Sequence, residues 1–418
     1  MGKPSRTAGF TRIAISLLGI CGCLLIILVS VPIGVSRMLG RYGMLARSIQ
    51  VAAQAVRLAP SDADAHRALA TAFQNTGMHQ EAREQLEIAI SLRPNDDYLW
   101  LELGSVRDEL GDSDGALRAF DQAVANAPYY AHTHWQRGNL RLRLGHYDEA
   151  FGELREAARS NRTFTPNLID LAWSLSRGDV KLTERLAGIE STDSRIAFAR
   201  LLAKRGKGKE TVEQFRLSAN HSSEEFRREL VMELIAKHEY EAAFEIWKRT
   251  DTGTSQIYDG GFENTINFGE IGFGWQVPRD RSTIEVSQDT AEKDSGTRSL
   301  RITFGGDSPA AESIMSQTVI IKPQQKYRIS FAVRTKDIVT GGPPSVSVID
   351  AASEVRLAET RTLMQSEGTW QEHGLEFTTP PNCPAIVLRL ARTACDSTPC
   401  PIFGLLWLDS FSIEELKP

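Results

Sequence analysis

The chain has 418 residues, of which 41% are hydrophobic and 24% charged, and its formal net charge is −5 at pH 7. This length exceeds what one hydrophobic core usually organises, so we expect two or three domains. The acidic balance, with no basic stripe beyond the N-terminus, argues against a nucleic-acid-binding protein.

The N-terminal segment is basic and then strongly apolar. Between Arg12 and Arg37 lie 24 uncharged residues, which at about 1.5 Å per residue are long enough to cross a hydrocarbon layer of about 30 Å. We therefore predict a short basic tail over 1–12 and a single membrane-spanning helix over 13–35. A cleaved signal peptide and a lipid-modified cysteine are alternatives, but the apolar run is long and bulky Ile20 precedes Cys21.

A skeleton of small, bulky and turn residues then recurs every 34 residues. It comprises Gly77, Gly111 and Gly145; Ala82, Ala116 and Ala150; Leu86, Phe120 and Leu154; Ala89, Ala123 and Ala157; and Pro60, Pro94 and Pro128. The pattern therefore predicts two helices in each unit, a glycine-bearing turn between them, and small residues where the two backbones approach each other. Such a hairpin cannot bury its apolar face alone, so neighbouring units must stack.

These units resemble tetratricopeptide repeats, and we assign such repeats to 45–162. The resemblance implies a protein-binding groove along the first helix of each repeat. In this chain the groove positions are Arg67, Thr71, Gln74, Tyr98, Leu101, Ser105, Trp135, Asn139 and Leu142. Trp135 stands where carboxylate-clamping members of the family place a lysine, which favours an extended or helical protein segment as the ligand. The alternative for Trp135 is a place in the core between repeats.

Helical periodicity continues over 163–250, although the repeat skeleton fades. The stretches "TPNLIDLAWSLSRG", "DSRIAFARLLAKRG" and "SSEEFRRELVMELIAKHEYEAAFEIWKR" each alternate apolar and charged faces. We predict degenerate helical repeats here, which continue the same α-solenoid.

From about residue 256 the pattern changes to short alternating runs separated by glycine, proline and threonine. Examples are "STIEVSQ", "RSLRITF", "KYRISFAVRT" and "AIVLRLAR". Alternation without intervening helices predicts an all-β, two-sheet sandwich over 256–418. The fold class expected for the whole chain is therefore a transmembrane helix, an α-solenoid and a C-terminal β-sandwich.

The order of motifs in this segment resembles jelly-roll carbohydrate-binding modules: "DGGFE", "GW", "DSGTRSLRI", "GTWQEHGLEFTTP" and "GLLWLDSFSIEEL". The resemblance implies a structural calcium ion held by Glu263 and Asp409, with backbone carbonyls near 289–297 completing its oxygen shell. The alternative is that the two carboxylates only cap or pair at a sheet edge.

Sugar binding would require an exposed aromatic ring beside polar side chains. The candidate glycan contacts are Tyr258, Phe273 and Trp275, of which Trp275 follows two loop glycines. The alternative is that these rings belong to the core.

Cys395 and Cys400 are close enough in sequence to form a local disulfide. Because a disulfide needs an oxidising compartment, we expect a single-pass membrane protein with most of the chain periplasmic or extracellular. The competing expectation is that the repeats lie in the cytosol.

The sequence contains neither a phosphate loop nor "HExxH". We therefore predict a non-enzymatic scaffold that binds a protein partner and, as a second ligand, a polysaccharide in bacterial envelope or exopolysaccharide assembly, with no nucleic-acid partner. A glycan-active enzyme is the alternative from another class.

Overall fold

The computed structural model describes residues 30–218, 223–248, 256–278, 283–307, 313–363, 366, 368–395 and 399–417. These residues belong to two compact units, Met1–Gly188 and Ile189–Pro418. The four helices from Thr192 to Trp247 therefore share a unit with the strands.

The first unit is helical. Its helices are α1 (30–45), α2 (Ile49–Leu58), α3 (Ala63–Gln74), α4 (His79–Leu92), α5 (Asp97–Glu109), α6 (Ser113–Asn126), α7 (Ala131–Arg143), α8 (Tyr147–Ser160), α9 (Thr165–Leu175) and α10 (Val180–Ala187), with a 3₁₀ turn at Arg162–Phe164. Asp62, Asp96 and Asp112 cap α3, α5 and α6 by accepting hydrogen bonds from backbone N–H groups of the first turn.

The recurring small residues lie where paired helices make contact. Ala82, Ala116 and Ala150 are fully buried. A Cβ atom added to Gly104 would lie 2.5 Å from Phe120 Cε1, and one added to Gly138 would lie 2.9 Å from Leu154 Cγ. A larger residue at either glycine would force the hairpin apart.

A hydrogen bond that recurs every 34 residues fixes the start of each repeat. The side chains of His66, Trp100 and His134, spaced 34 residues apart, each place a ring nitrogen at the carbonyl oxygen of the preceding repeat's proline. The distances are 2.9 Å from His66 Nε2 to Pro60 O, 2.7 Å from Trp100 Nε1 to Pro94 O, and 2.8 Å from His134 Nε2 to Pro128 O. Since a carbonyl oxygen only accepts, the ring nitrogen is the donor in each case.

Substitutions at Trp100 test this recurring hydrogen bond. We expect Trp100→Phe to lower the helical melting transition by about 2–4 °C, because it removes a hydrogen bond worth about 1 kcal/mol. Trp100→His restores a ring N–H of the kind that both neighbouring repeats use, so it should recover most of the loss. Circular dichroism melts of the full chain measure both variants, and equal melting of the two would contradict a role for the donor.

The prediction of a membrane-spanning helix over 13–35 is wrong. Residues 13–29 lie outside the described part of the chain, and within that part no helix is both long enough and apolar enough to cross a membrane. Residues 30–35 begin α1, which reaches about 24 Å and carries Arg37 and Arg41. The expectation of a single-pass membrane protein is corrected with it.

The contacts of α1 give the physical reason. Ser36 is fully buried, and its hydroxyl donates to Ala55 O at 2.8 Å. The Arg37 guanidinium pairs with Asp62 at 3.0 Å. This helix therefore packs against α2 as the first helix of a hairpin, through Ser36 and Gly43. Its large apolar residues Val31, Val35 and Met38 stay exposed.

The second unit begins with four helices, α11 (Thr192–Lys204), α12 (Gly208–Ser218), α13 (Glu224–Ala236) and α14 (Tyr240–Trp247). Their apolar faces meet in a core that includes Phe226, Leu230 and Ile246. Phe273, which follows the helices in the chain, is buried in the same core and joins it to the strand-built part of the unit.

The strands form two antiparallel sheets. They are β1 (Ile284–Asp289), β2 (Ser299–Asp307), β3 (Ser313–Ile320), β4 (Lys326–Thr340), β5 (Pro344–Asp350), β6 (Arg356–Glu359), β7 (Gln371–Thr378), β8 (Ala385–Arg392) and β9 (Pro401–Leu416). The strand orders are β1-β2-β9-β4-β7 and β3-β8-β5-β6. Residues of both sheets, among them Ile329, Phe331 and Leu388, share one core, as expected for a sandwich.

Candidate functional site

The first helices of consecutive repeats lie side by side. Arg67 of α3 pairs with Glu102 of α5, with Nε 3.1 Å from Oε2, and Arg143 of α7 pairs with Asp108 of α5. We call the face that α3, α5 and α7 form the first-helix surface. The nine groove positions predicted from the sequence all lie on these three helices.

Arg67, Tyr98 and Glu102 form the central cluster of this surface. The Arg67 guanidinium lies over the Tyr98 ring, 4.2 Å from its centroid, and Tyr98 itself is 40% exposed. Burial raises the pKa of the Glu102 carboxyl, and the Arg67 charge opposes that shift. The result is an exposed aromatic ring held beside a partly desolvated ion pair, a combination typical of protein-binding surfaces.

The remaining predicted positions differ in exposure. Thr71, Gln74, Ser105, Asn139 and Leu142 are half-buried on this surface. The hydroxyls of Thr71 and Ser105 donate to the backbone carbonyls of Arg67 and Leu101 at 3.0 and 3.1 Å. Leu101 is only 4% exposed and packs among Ala116, Phe120 and Leu140, so its side chain offers no surface to a partner.

Trp135 is half-buried and stacks on Phe164, with ring centroids 4.8 Å apart and planes at 27°. The contact joins α7 to the 3₁₀ turn at Arg162–Phe164. One face of Trp135 therefore packs against a neighbouring element while the residue keeps some exposure, and its role as a groove contact stays a prediction.

Sequence reasoning missed a charged cluster built around Glu153. Its carboxylate accepts from Arg137 Nη2 at 2.7 Å and from Arg141 Nη1 at 3.2 Å, and it contacts His134 Nδ1 at 2.7 Å. Burial raises the pKa of Glu153, but the hydrogen bonds from Arg137 and His134 outweigh it, so the pKa lies below its usual value. Arg137, which replaces the apolar residue usual in the repeat, is the signal that could have revealed this cluster.

The cluster predicts a defined pH dependence. A carboxyl whose pKa is depressed by folding contributes stability above its unfolded value of about 4.5, and that stability is lost as the pH falls through the folded value. Glu153→Gln should therefore cost about 1.5–3 kcal/mol at pH 7 and much less near about pH 3.

Thermal melts of the full chain at both pH values measure this difference. Glu149→Gln is the matched control, because Glu149 contacts Arg141 at 3.5 Å with a 60% exposed side chain. A cost for Glu153→Gln that is the same at both pH values would contradict the assignment.

The three candidate glycan contacts lie at the junction of the four helices and the strands of the second unit. Phe273 is 2% exposed and Trp275 is 9% exposed. Trp275 packs against Phe262 and Phe411, and its Nε1 donates to Asp259 O at 3.0 Å. Tyr258 is half-buried, so among the three it alone keeps an accessible ring.

The glycines around Phe273 serve packing. A Cβ atom added to Gly272 would clash with the indole of Trp247, and one added to Gly274 would lie 3.0 Å from Glu270 Cδ. Trp247 Nε1 also donates to Glu270 Oε1 at 2.8 Å. Gly272 therefore lets α14 approach the loop closely, and Trp247 packs on Phe273 there, with ring centroids 5.7 Å apart.

Glu263 and Asp409 hold one turn, residues 294–298, from two sides. Asp409 is fully buried, and its Oδ2 accepts from the backbone N–H groups of Asp294 and Ser295 at 2.9 and 3.0 Å. Glu263 Oε1 accepts from Thr297 N at 2.8 Å. Burial raises the pKa of Asp409, whereas hydrogen bonds from Thr297 lower that of Glu263.

These contacts bear on the calcium prediction. Backbone N–H groups, which are donors, point at the carboxylate oxygens where a cation would need free lone pairs. Within the described residues no group of three or more His, Cys, Asp and Glu side chains could hold a metal. The geometry matches direct capping of the turn better than an oxygen cage, and calcium at this place stays a prediction.

Cys395 and Cys400 form a disulfide, with Cα atoms 6.0 Å apart. The buried Arg392 supports it by donating to Cys400 O at 2.8 Å. Cys383 remains a free thiol, and burial raises its pKa to about 12, which makes it unreactive at neutral pH.

Comparison with known families identifies the helical hairpins of the first unit. The tetratricopeptide repeat family model matches residues 43–97, 67–131 and 101–163. These matches cover α2 to α8, so this part of the chain consists of tetratricopeptide repeats.

Individual relatives match only parts of the chain. The chain is 32% identical to protein FlbA of Caulobacter vibrioides over 101 residues. This match covers 24% of the chain and 17% of FlbA. The MamA protein is similar to 47% of this chain over 97% of its own length, with 15% identity and a TM-score of 0.33. The CBM22-1 xylan-binding domain of Paenibacillus barcinonensis Xyn10C is similar to 38% of this chain over 93% of its own length, with 17% identity and a TM-score of 0.28.

Proposed function

We propose that this chain is a non-catalytic scaffold whose first-helix surface binds an extended or helical segment of a protein partner. The carrying observation is the cluster of Arg67, Tyr98 and Glu102, which places an exposed ring beside a partly buried ion pair. Tetratricopeptide repeats are a protein-interaction architecture, and the half-buried Trp135 extends the aromatic character of the surface toward α7.

The chemistry of the surface favours a ligand with both apolar and charged side chains. Tyr98 offers apolar area at a small cost in conformational entropy. Glu102 and Arg67 offer one charge of each sign, so a partner segment with a basic or acidic residue next to an apolar anchor would exchange hydrogen bonds with them. Glycan binding by the strand-built part of the second unit is the second half of the proposal, with Tyr258 as its accessible ring.

Site-specific photo-crosslinking tests the protein-binding role. A photoreactive residue at Ser105 of α5 should capture a partner, whereas the same residue at Ser91 of α4 should not. The two positions are matched, since both hydroxyls donate to a backbone carbonyl of their own helix. In the Ser105 background, Tyr98→Ala should reduce capture at least about tenfold, the loss expected for an interface aromatic worth about 1.4 kcal/mol or more.

Equal capture from both positions, or capture unaffected by Tyr98→Ala, would contradict the use of the first-helix surface. Circular dichroism of each variant checks that the repeats remain folded.

Calcium at Glu263 and Asp409 is tested separately by melting the full chain in calcium and in EGTA. An ion bound only to the folded state would raise the midpoint, by an amount that grows with the logarithm of the calcium concentration above its Kd. Identical midpoints would leave the two carboxylates as direct caps of the 294–298 turn.

A further inference from the structure

The second unit contains a cavity that none of the roles above explains. It has a volume of about 230 Å³. Arg227, Arg228 and Val231 of α13 line one side, Trp247 and Tyr258 line another, and the loop 264–271 closes it. Most pockets for drug-sized ligands begin at roughly 300 Å³, so this cavity suits a ligand of one ring.

Two perpendicular aromatic rings form a corner of the cavity. The centroids of Trp247 and Tyr258 are 5.2 Å apart, with the planes at 87°. Trp247 is held by its hydrogen bond to Glu270, and the backbone of Tyr258 is held by Gln317, whose Nε2 donates to Tyr258 O at 2.8 Å. Both rings are half-buried, which leaves rigid apolar faces for a ligand.

The polar groups of the cavity carry both signs of charge. Asp259 Oδ1 accepts from Glu263 N at 2.8 Å, and Glu270 Oε1 accepts from Trp247 Nε1 and Gly272 N at 2.8 and 2.6 Å. Glu270 Oε2 has only a long contact of 3.4 Å from Asn267 Nδ2, so it keeps accepting capacity. Three acidic and two basic side chains line the cavity, and a ligand with a net charge would meet like charges.

Two side chains at the rim remain available to a ligand. Arg228 and Asn264 are exposed, and neither side chain makes an ion pair or hydrogen bond with another described residue. Arg228 supplies donors and the Asn264 amide supplies a donor and an acceptor. Together with Glu270 Oε2 they match the hydroxyls of a sugar, each of which both donates and accepts.

We infer that this cavity binds one neutral sugar ring, either as a monosaccharide or as the terminal residue of a glycan. The apolar face of the ring lies against Tyr258 and Trp247, and its hydroxyls meet Arg228, Asn264 and Glu270. The inference rests on the proposed glycan role of the second unit and deepens it, because a cavity of this size admits a chain end and excludes a chain interior.

The test uses the full chain and titrates it, by saturation-transfer NMR, with the methyl glycosides of glucose, galactose, mannose and xylose. At least one should bind, and its uronic acid counterpart should bind more weakly. Arg228→Gln should weaken binding about tenfold or more, the loss expected for a hydrogen bond from a charged donor. Arg361→Gln is the matched control, since Arg361 is exposed and lies outside the cavity lining, and it should leave binding unchanged.

A polysaccharide array separates this inference from the proposed function. Binding of long glycans without binding of any methyl glycoside, or binding insensitive to Arg228→Gln, would overturn the cavity assignment and leave the glycan role standing. Preference for the uronic acid would overturn the neutral ring. If no glycan bound on the array and no glycoside bound in the titration, both the cavity assignment and the glycan role would be rejected. The protein-binding role of the first-helix surface would be unaffected.

Discussion

Close contact between helix backbones at small residues is the constraint on which the first unit depends. Gly104 and Gly138 admit Phe120 and Leu154 with no room for a Cβ atom. That contact sets the distance between the helices of a hairpin, and it repeats every 34 residues. Because the hairpins stack regularly, side chains 35 residues apart, such as Arg67 and Glu102, meet across neighbouring first helices. The chemistry of the first-helix surface is therefore a consequence of the packing beneath it.

The second unit depends on a comparable contact between α14 and the loop that precedes the strands. Trp247 reaches the backbone of Gly272 and donates to Glu270. This contact buries Phe273 and creates the aromatic corner with Tyr258. The helices that precede the strands thus complete the site, and the strands alone would leave the cavity without one of its walls.

The repeats and the alternating strands could be predicted from the sequence, because a 34-residue period and a two-residue period report directly on which faces are buried. The sites were less predictable, because they depend on contacts between elements. Trp275 follows two glycines and was expected to be exposed, yet those glycines exist to admit Trp247 and Glu270. Leu101 sits at a groove position by the family's pattern, but its side chain turns into the core. The membrane-spanning helix was predicted from composition alone, and composition does not report contacts such as that of Ser36 in α1 with Ala55 O.

Glu102 and Glu153 show which features of the sequence indicate contacts between helices. Neither acid belongs to the repeat skeleton, and each is stabilised by arginines from other helices. Burying a carboxylate costs free energy unless it is paired and hydrogen-bonded, so an acid on the buried side of a repeat requires a basic partner at a neighbouring position. Arg137, at a position where the family uses an apolar residue, is that partner for Glu153. Departures from a repeat consensus that come as matched pairs of opposite charge therefore indicate contacts between helices. The Tyr98 ring, which is 40% exposed beneath the Arg67 guanidinium, instead indicates a surface that is available to a ligand.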